Sequence, residues 1–353
     1  MKLLKIVANN FKLCEKDFTI SFIPTGNKTA EDKEFELQEI ADNLYVFNTI
    51  GIIGKNASGK TTTVELLSII YDIFSNYRIN ASKNIFKFIE KPLNLDITFF
   101  HERAIYHYIT DLVKNINSVD NTSVFFKNEK LYKRIYKKAH AKNIVEYDKY
   151  SEINFDVKLP EDTSMIYSLL KDIDLNNNLA IITSLLKLFD EHLDNIKMLN
   201  ENKYKIIYTN GSAKEVSNTE LYEILSSGTT KGFGLFTFVV YSLKTGSDLI
   251  IDEIENHFHK TLVENLVNLY KDKSVNKKKA TLIFTTHYCE ILDLFNRSDN
   301  IYISKYDKSI KLENMHKNYK FRTELSKSNK FYNNEFNTNV SYESLMNFKK
   351  ELM

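Results

Sequence analysis

A chain of 353 residues with 43% hydrophobic and 27% charged residues is long enough to bury a sizeable core and is not a disordered or fibrous chain. Its formal net charge of +2 is too near balance to argue for or against nucleic acid, so any basic surface must be local. No window approaches the roughly 18 apolar residues of a membrane span, and Cys14 and Cys289 make no metal spacing. These features predict a reduced cytoplasmic protein with no membrane segment, disulfide or zinc.

In chain order, residues 3–7 and 18–22 read as strands flanking Asn10-Phe11-Lys12, an opening hairpin that leads into a polar loop at about 25–36. A strand over 44–53 runs into a glycine loop. Residues 61–77 follow with Val64, Leu67, Ile70, Ile73 and Phe74 near helical spacing. After a strand at 95–100 the sequence becomes polar and rich in lysine and asparagine. With amphipathic stretches at 165–173 and 179–196, residues 101–220 read as a mainly helical insertion. Strands return at 248–251 and 281–284 around a helix at 260–270, a βαβ pattern that implies parallel strands. The expected fold is therefore α/β, with a core split between 1–100 and 221–305, and a C-terminal extension, 306–353, that keeps strand-like apolar positions and ends in a helix over 342–352.

The glycine loop is Gly54-Lys55-Asn56-Ala57-Ser58-Gly59-Lys60-Thr61. A loop that wraps a polyphosphate must present bare backbone N–H groups without side-chain clash, which Gly54 and Gly59 allow. Lys60 adds a point charge for the β- and γ-phosphates, Thr61 a hydroxyl for Mg²⁺, and the helix that follows points its positive end at the anion. The chain has only 9 glycines, so this spacing is specific. Gly54, Asn56, Ala57, Ser58, Gly59, Lys60, Thr61 and Thr62 are the candidate ATP-binding residues.

Leu249-Ile250-Ile251-Asp252-Glu253 is an apolar strand ending in two carboxylates. Downstream of a P-loop, Asp252 suits Mg²⁺ and its waters, and Glu253 suits the orientation or deprotonation of an attacking water. Leu225-Ser226-Ser227-Gly228-Thr229 precedes another helix; Ser226, Ser227 and Gly228 read either as an anion-binding turn or as a plain helix cap. Thr285-Thr286-His287 puts an imidazole at a further strand end, catalytic or structural.

These pieces in this order resemble the ABC-type ATPase superfamily. The Asn-Phe-Lys opening, the Leu-Ser-Ser-Gly-Thr segment and Asp-Glu-Ile-Glu-Asn-His-Phe-His are similar to the soluble SMC/RecF/OLD-like AAA ATPases, many of them found in DNA repair and antiphage defence. The resemblance implies a P-loop NTPase fold with a mixed sheet, Mg-ATP as ligand, and a head-to-tail homodimer or higher even oligomer. In that dimer Ser226, Ser227 and Gly228 of one copy close on the γ-phosphate held by the other. His287 would be the switch histidine, and residues 255–259 would cross the interface.

Two departures separate the chain from transporter ATPases: its only glutamine, Gln38, precedes the P-loop, and His259 stands where an interface-loop aspartate is usual. His101 and Glu102 are positional substitutes for the missing glutamine, or simply a solvated strand end. Residues 127–142 interleave lysines and Arg134 with Tyr132 and Tyr136, a nucleic-acid candidate or a solvated helix face. Arg134 and His140 have a spacing that some helical ribonucleases use, and no second catalytic group accompanies them. The tail is too short for a fused nuclease, so destructive activity would need a separately encoded effector. The alternatives are a nucleotide-binding subunit of an ABC transporter and an ATP-regulated nucleic-acid-binding effector.

Overall fold

The computed structural model describes residues 1–76, 89–114, 124–142, 144, 150–153, 181, 183–184, 187–188, 190–200, 203–217, 220, 227–256, 260–319, 326–336 and 342–352. Strands β1 (Lys2–Asn9) and β2 (Phe18–Ser21) form the opening hairpin, followed by a π-helical turn, Asp32–Glu36, and a second hairpin of β3 (Leu37–Ala41) and β4 (Leu44–Phe47). β5 (Thr49–Ile53) leads into α1 (Lys60–Asn76). Then come β6 (Leu93–His101), β7 (Ala104–Lys114), β8 (Val124–Ile135), β9 (Ser151–Ile153), and a meander of β10 (Leu193–Asn200), β11 (Lys203–Tyr208) and β12 (Ala213–Ser217). The second half holds α2 (Ser227–Thr245), β13 (Leu249–Ile251), α3 (Lys260–Lys271), β14 (Leu282–Thr286), β15 (Ile301–Asp307) and β16 (Ser309–Asn314), with later helices at Lys327–Tyr332 and Tyr342–Glu351.

Two sheets carry the architecture. The antiparallel one runs β2-β1-β6-β7-β8-β9; the other runs β13-β14-β5-β15-β16, parallel except for β16. All five residues of β5 are buried, as expected for a central parallel strand covered on both faces. Ile50 and Ile52 join one core with Leu66, Leu67, Ile70 and Phe74 of α1 and with Ile6, Ile97 and Phe99 of the antiparallel sheet. Ile53 points the other way, into a core with Val239 of α2 and Val263, Leu266 and Val267 of α3. Helix α1 is therefore packed on more than one side, which explains why its apolar residues exceed a single stripe.

Two expectations need correction. The run 44–53 is two strands, because Asn48 leaves the ladder: its N–H donates to the Glu36 carbonyl at 3.0 Å and its side-chain amide to the Phe35 carbonyl at 2.8 Å. The stretch 101–220 is not mainly helical where it is described. β7 and β8 extend the antiparallel sheet, and β10–β12 form a sheet of their own. The lysines of β8 sit at exposed positions next to half-buried or buried ones, an arrangement suited to a strand near a sheet edge. The stretch 165–173 lies outside the described residues, and the helix expected over 179–196 gives way to β10 from Leu193. Within 306–353 the strand-like positions form β16, which adds antiparallel to β15 at the edge of the parallel sheet, and Tyr342–Glu351 is helical.

Candidate functional site

Register sets the site. β14 pairs with β5 so that Phe284 faces Gly51, Thr285 faces Ile52 and Thr286 faces Ile53, which brings His287 level with Gly54. On the other side Ile303 faces Ile53, bringing Ser304 level with the same glycine. Ile251 at the end of β13 pairs with Phe284, so Asp252 emerges beside Thr285. The C-terminal ends of the parallel strands thus deliver all these groups to the loop before α1, the edge where open α/β sheets place ligands.

Within that loop, the ammonium of Lys60 donates to the carbonyls of Gly54 at 2.9 Å and Lys55 at 3.1 Å, and lies 3.2 Å from His287 Nδ1. Burial lowers the Lys60 pKa, opposed by the charges of Glu253, Glu255 and Asp252. Thr61 Oγ1 donates to Asp252 Oδ2 at 2.8 Å. Thr285 Oγ1 donates to Asp252 Oδ1 and accepts the backbone N–H of Glu253 at 2.7 Å. Glu253 itself has φ of 49°, a left-handed turn that swings its side chain back across the strand ends.

His287 ties the two halves together. Its Nδ1 lies 3.2 Å from the Lys60 ammonium and 3.1 Å from the Gly54 carbonyl, and its Nε2 lies 3.2 Å from Glu253 Oε1. Asn256 Nδ2 donates to Glu253 Oε2 at 2.5 Å. The hydrogen bond from His287, helped by Asn256 and Lys60, holds the Glu253 carboxyl below its ordinary value against desolvation. The backbone N–H of His287 donates to Glu255 Oε1, while Glu255 Oε2 is buried without a hydrogen-bond partner.

The loop fits a polyphosphate. A Cβ on Gly54 would stand 2.5 Å from the Ser304 carbonyl, and one on Gly59 (φ +103°) 2.3 Å from Ile310 Cγ2, so backbone alone can line the cradle. The Ser58 hydroxyl is buried with no partner, an unsatisfied group of the kind a bound anion or water normally answers. Thr61 and Asp252 supply the oxygen donors that Mg²⁺ prefers. Among the described residues no cluster of three or more metal-ligating side chains occurs.

The remaining expected residues lie elsewhere or out of view. Asn56, Ala57 (φ 58°) and Thr62 belong to the loop and first turn of α1. Ser226 lies outside the described residues, whereas Ser227 and Gly228 open α2; residues 257–259 are likewise outside. Gln38 is buried, donating to the Ala280 carbonyl at 2.7 Å. His101 ends β6, pairing with Ala104, and Glu102 opens the two-residue turn to β7, the two side chains 3.5 Å apart. Arg134 is a strand residue, 7% exposed, with its guanidinium 5.5 Å from the Tyr150 ring centroid, so no helical Arg/His spacing applies. Sequence reasoning missed Thr285 as the bridge, and Ser304 and Ile310 as supports of the loop. Ser304 Oγ donates to the Ser58 carbonyl at 2.9 Å; the alternating apolar residues of β15 and β16 were the only signal of that hairpin.

Among solved structures, the SMC head domain from Thermotoga maritima is similar at 12% identity with a TM-score of 0.46, the match covering 89% of this chain and 99% of that one. No curated protein matches. A family profile described as "AAA domain, putative AbiEii toxin, Type IV TA system" matches residues 50–293, a span that begins on β5 and runs past His287. With the P-loop, the acidic strand end and the mixed sheet of an ABC-type P-loop fold in place, the chain belongs to that AAA domain family.

Proposed function

We propose that the protein hydrolyses Mg-ATP and works as a switch that dimerises around the nucleotide. What supports this most directly is the convergence of Lys60, Asp252, Glu253 and His287 on one loop. Lys60, withdrawn from the Gly54 and Lys55 carbonyls, would meet the β- and γ-phosphates. Thr61 and Asp252 would hold Mg²⁺, which when bound draws charge from the phosphate oxygens. Glu253 has the low pKa of a group that stays ionised, and its carboxylate would take the proton of the attacking water. His287 Nε2 stands 3.2 Å from Oε1 while Asn256 holds Oε2. Positioned acid–base work of this kind contributes about 10²- to 10⁴-fold in rate.

In this reading the site is half of a pair, with Ser226, Ser227 and Gly228 arriving from a second copy. The closed dimer would signal to a separately encoded effector such as a nuclease, in antiphage defence or DNA maintenance. The test combines phosphate release with light scattering. Lys60→Ala should lose nucleotide binding and turnover, and Glu253→Gln should accumulate an ATP-bound dimer. A Glu253→Gln protein that remains monomeric at saturating Mg-ATP removes the dimer from the proposal, and a Lys60→Ala protein with unchanged turnover removes the site.

A further inference from the structure

We propose that the exposed ring of Tyr306 is the platform on which the base of the bound nucleotide rests. The inference builds on the nucleotide-site reading above and adds the part of the ligand that the phosphate loop does not reach.

The direction of the ligand follows from strand order. Asp252, Glu253 and His287 follow β13 and β14, on one side of β5 in the order β13-β14-β5-β15-β16. These groups define the terminal phosphate end, so the nucleoside leaves on the other side, towards β15 and β16. On that side Ile310 is the side chain packed against Gly59, at the start of α1. Its N–H donates to the Leu13 carbonyl at 2.7 Å, and its register partner across the hairpin is Tyr306. Ile310 is buried, yet its two neighbours are open: Leu13 is 59% exposed and Tyr306 48%.

A cavity of about 280 Å³ adjoins Tyr306, bordered by Lys55 of the phosphate loop and by Ser304, Lys305, Tyr306, Asp307, Lys311 and Glu313 of the hairpin. That is just below the roughly 300–1,000 Å³ typical of pockets for drug-sized ligands, a size suited to one base. The chemistry matches. A phenol ring can stack on the face of any base, and Lys55 and Asp307, the latter 3.6 Å from Lys311, offer a donor and an acceptor at the edge. Phosphate loop and base platform are joined through Ile310, which touches the first and pairs with the second.

Calorimetric titration of the full chain with two ligands separates base from phosphate: Mg-ATP, and inorganic tripolyphosphate with Mg²⁺. Tyr306→Ala should weaken ATP binding about 10- to 100-fold, the range expected for loss of one base–aromatic stack. Tripolyphosphate affinity should be unchanged, and Tyr306→Phe should retain the ATP affinity of the parent. Unaltered ATP affinity in Tyr306→Ala, or an equal loss for both ligands, overturns the platform. Lys60→Ala is the companion measurement: it should weaken both ligands, and if it weakens neither, it is the phosphate-site reading that fails.

Discussion

Thr285→Val is the most informative single change. Thr285 is fully buried and its hydroxyl does two jobs, accepting the Glu253 N–H and donating to Asp252. Valine fills the same volume, so no cavity confuses the result. Two polar groups lose a partner, each worth about 1–3 kcal/mol when left unpaired in the interior. Asp252 keeps Thr61 and is only partly buried, so its share falls at the low end. A total of about 2–4 kcal/mol is expected from denaturant unfolding. Because the lost group orients a metal-binding carboxylate and the turn that carries Glu253, kcat for phosphate release should fall roughly 10- to 100-fold. Thr285→Ser should restore both quantities. A Thr285→Val protein within about 0.5 kcal/mol of the parent, a change ordinary for a surface site, and with unaltered kcat would refute the bridge.

Gly59→Ala should abolish measurable ATP binding in a titration, because a Cβ at φ +103° would overlap Ile310; strain of this kind costs about 1–3 kcal/mol before any clash is counted. Since His287 keeps the Glu253 carboxyl below its ordinary value, Glu253 stays charged as pH falls until that lowered value is passed. Replacing His287 with Ala should therefore move the acid limb of the residual pH–rate profile upward, and an unmoved limb would count against the pairing. Lys271→Met should cost about 3–5 kcal/mol in chemical denaturation, because it removes the ammonium paired at 2.6 Å with Glu36, a fully buried carboxylate left with only the Asn296 N–H and the Asn300 amide as donors. Adding Glu36→Gln should recover part of that loss.

Local chemistry made the phosphate loop legible: Gly54, Gly59, Lys60 and Thr61 act through spacing along the chain, and Asp252 and Glu253 announce themselves as acids at the end of an apolar strand. What stayed hidden depends on partners far along the sequence. Thr285 meets Asp252 and Glu253 across a gap of more than 30 residues, and Ser304 meets Ser58 across 246; no periodicity carries such pairings. β8 was obscured by its lysines, which stand exposed next to Leu131 and other partly covered positions, so that a strand carried the composition of a solvated helix. β7 failed differently, for its first five residues are all buried, and alternation vanishes when both faces are covered. Asn48 broke an apolar run through side-chain and backbone bonds to residues 35 and 36, which composition does not encode.

The interleaving of the parallel sheet bears on how the molecule is made. β5 is flanked only by strands from residues 282–286 and 301–303, while the hairpins and antiparallel sheet before them close among the first 153 residues. At about 5–20 residues per second, a ribosome leaves the phosphate loop without its neighbours for roughly 10–50 s. Through that interval the emerging chain can order its first sheet yet has no carboxylates, no histidine and no hairpin against which to hold a triphosphate. Nucleotide responsiveness arrives late and all at once, so a prematurely terminated chain would be blind to ATP rather than wrongly switched on.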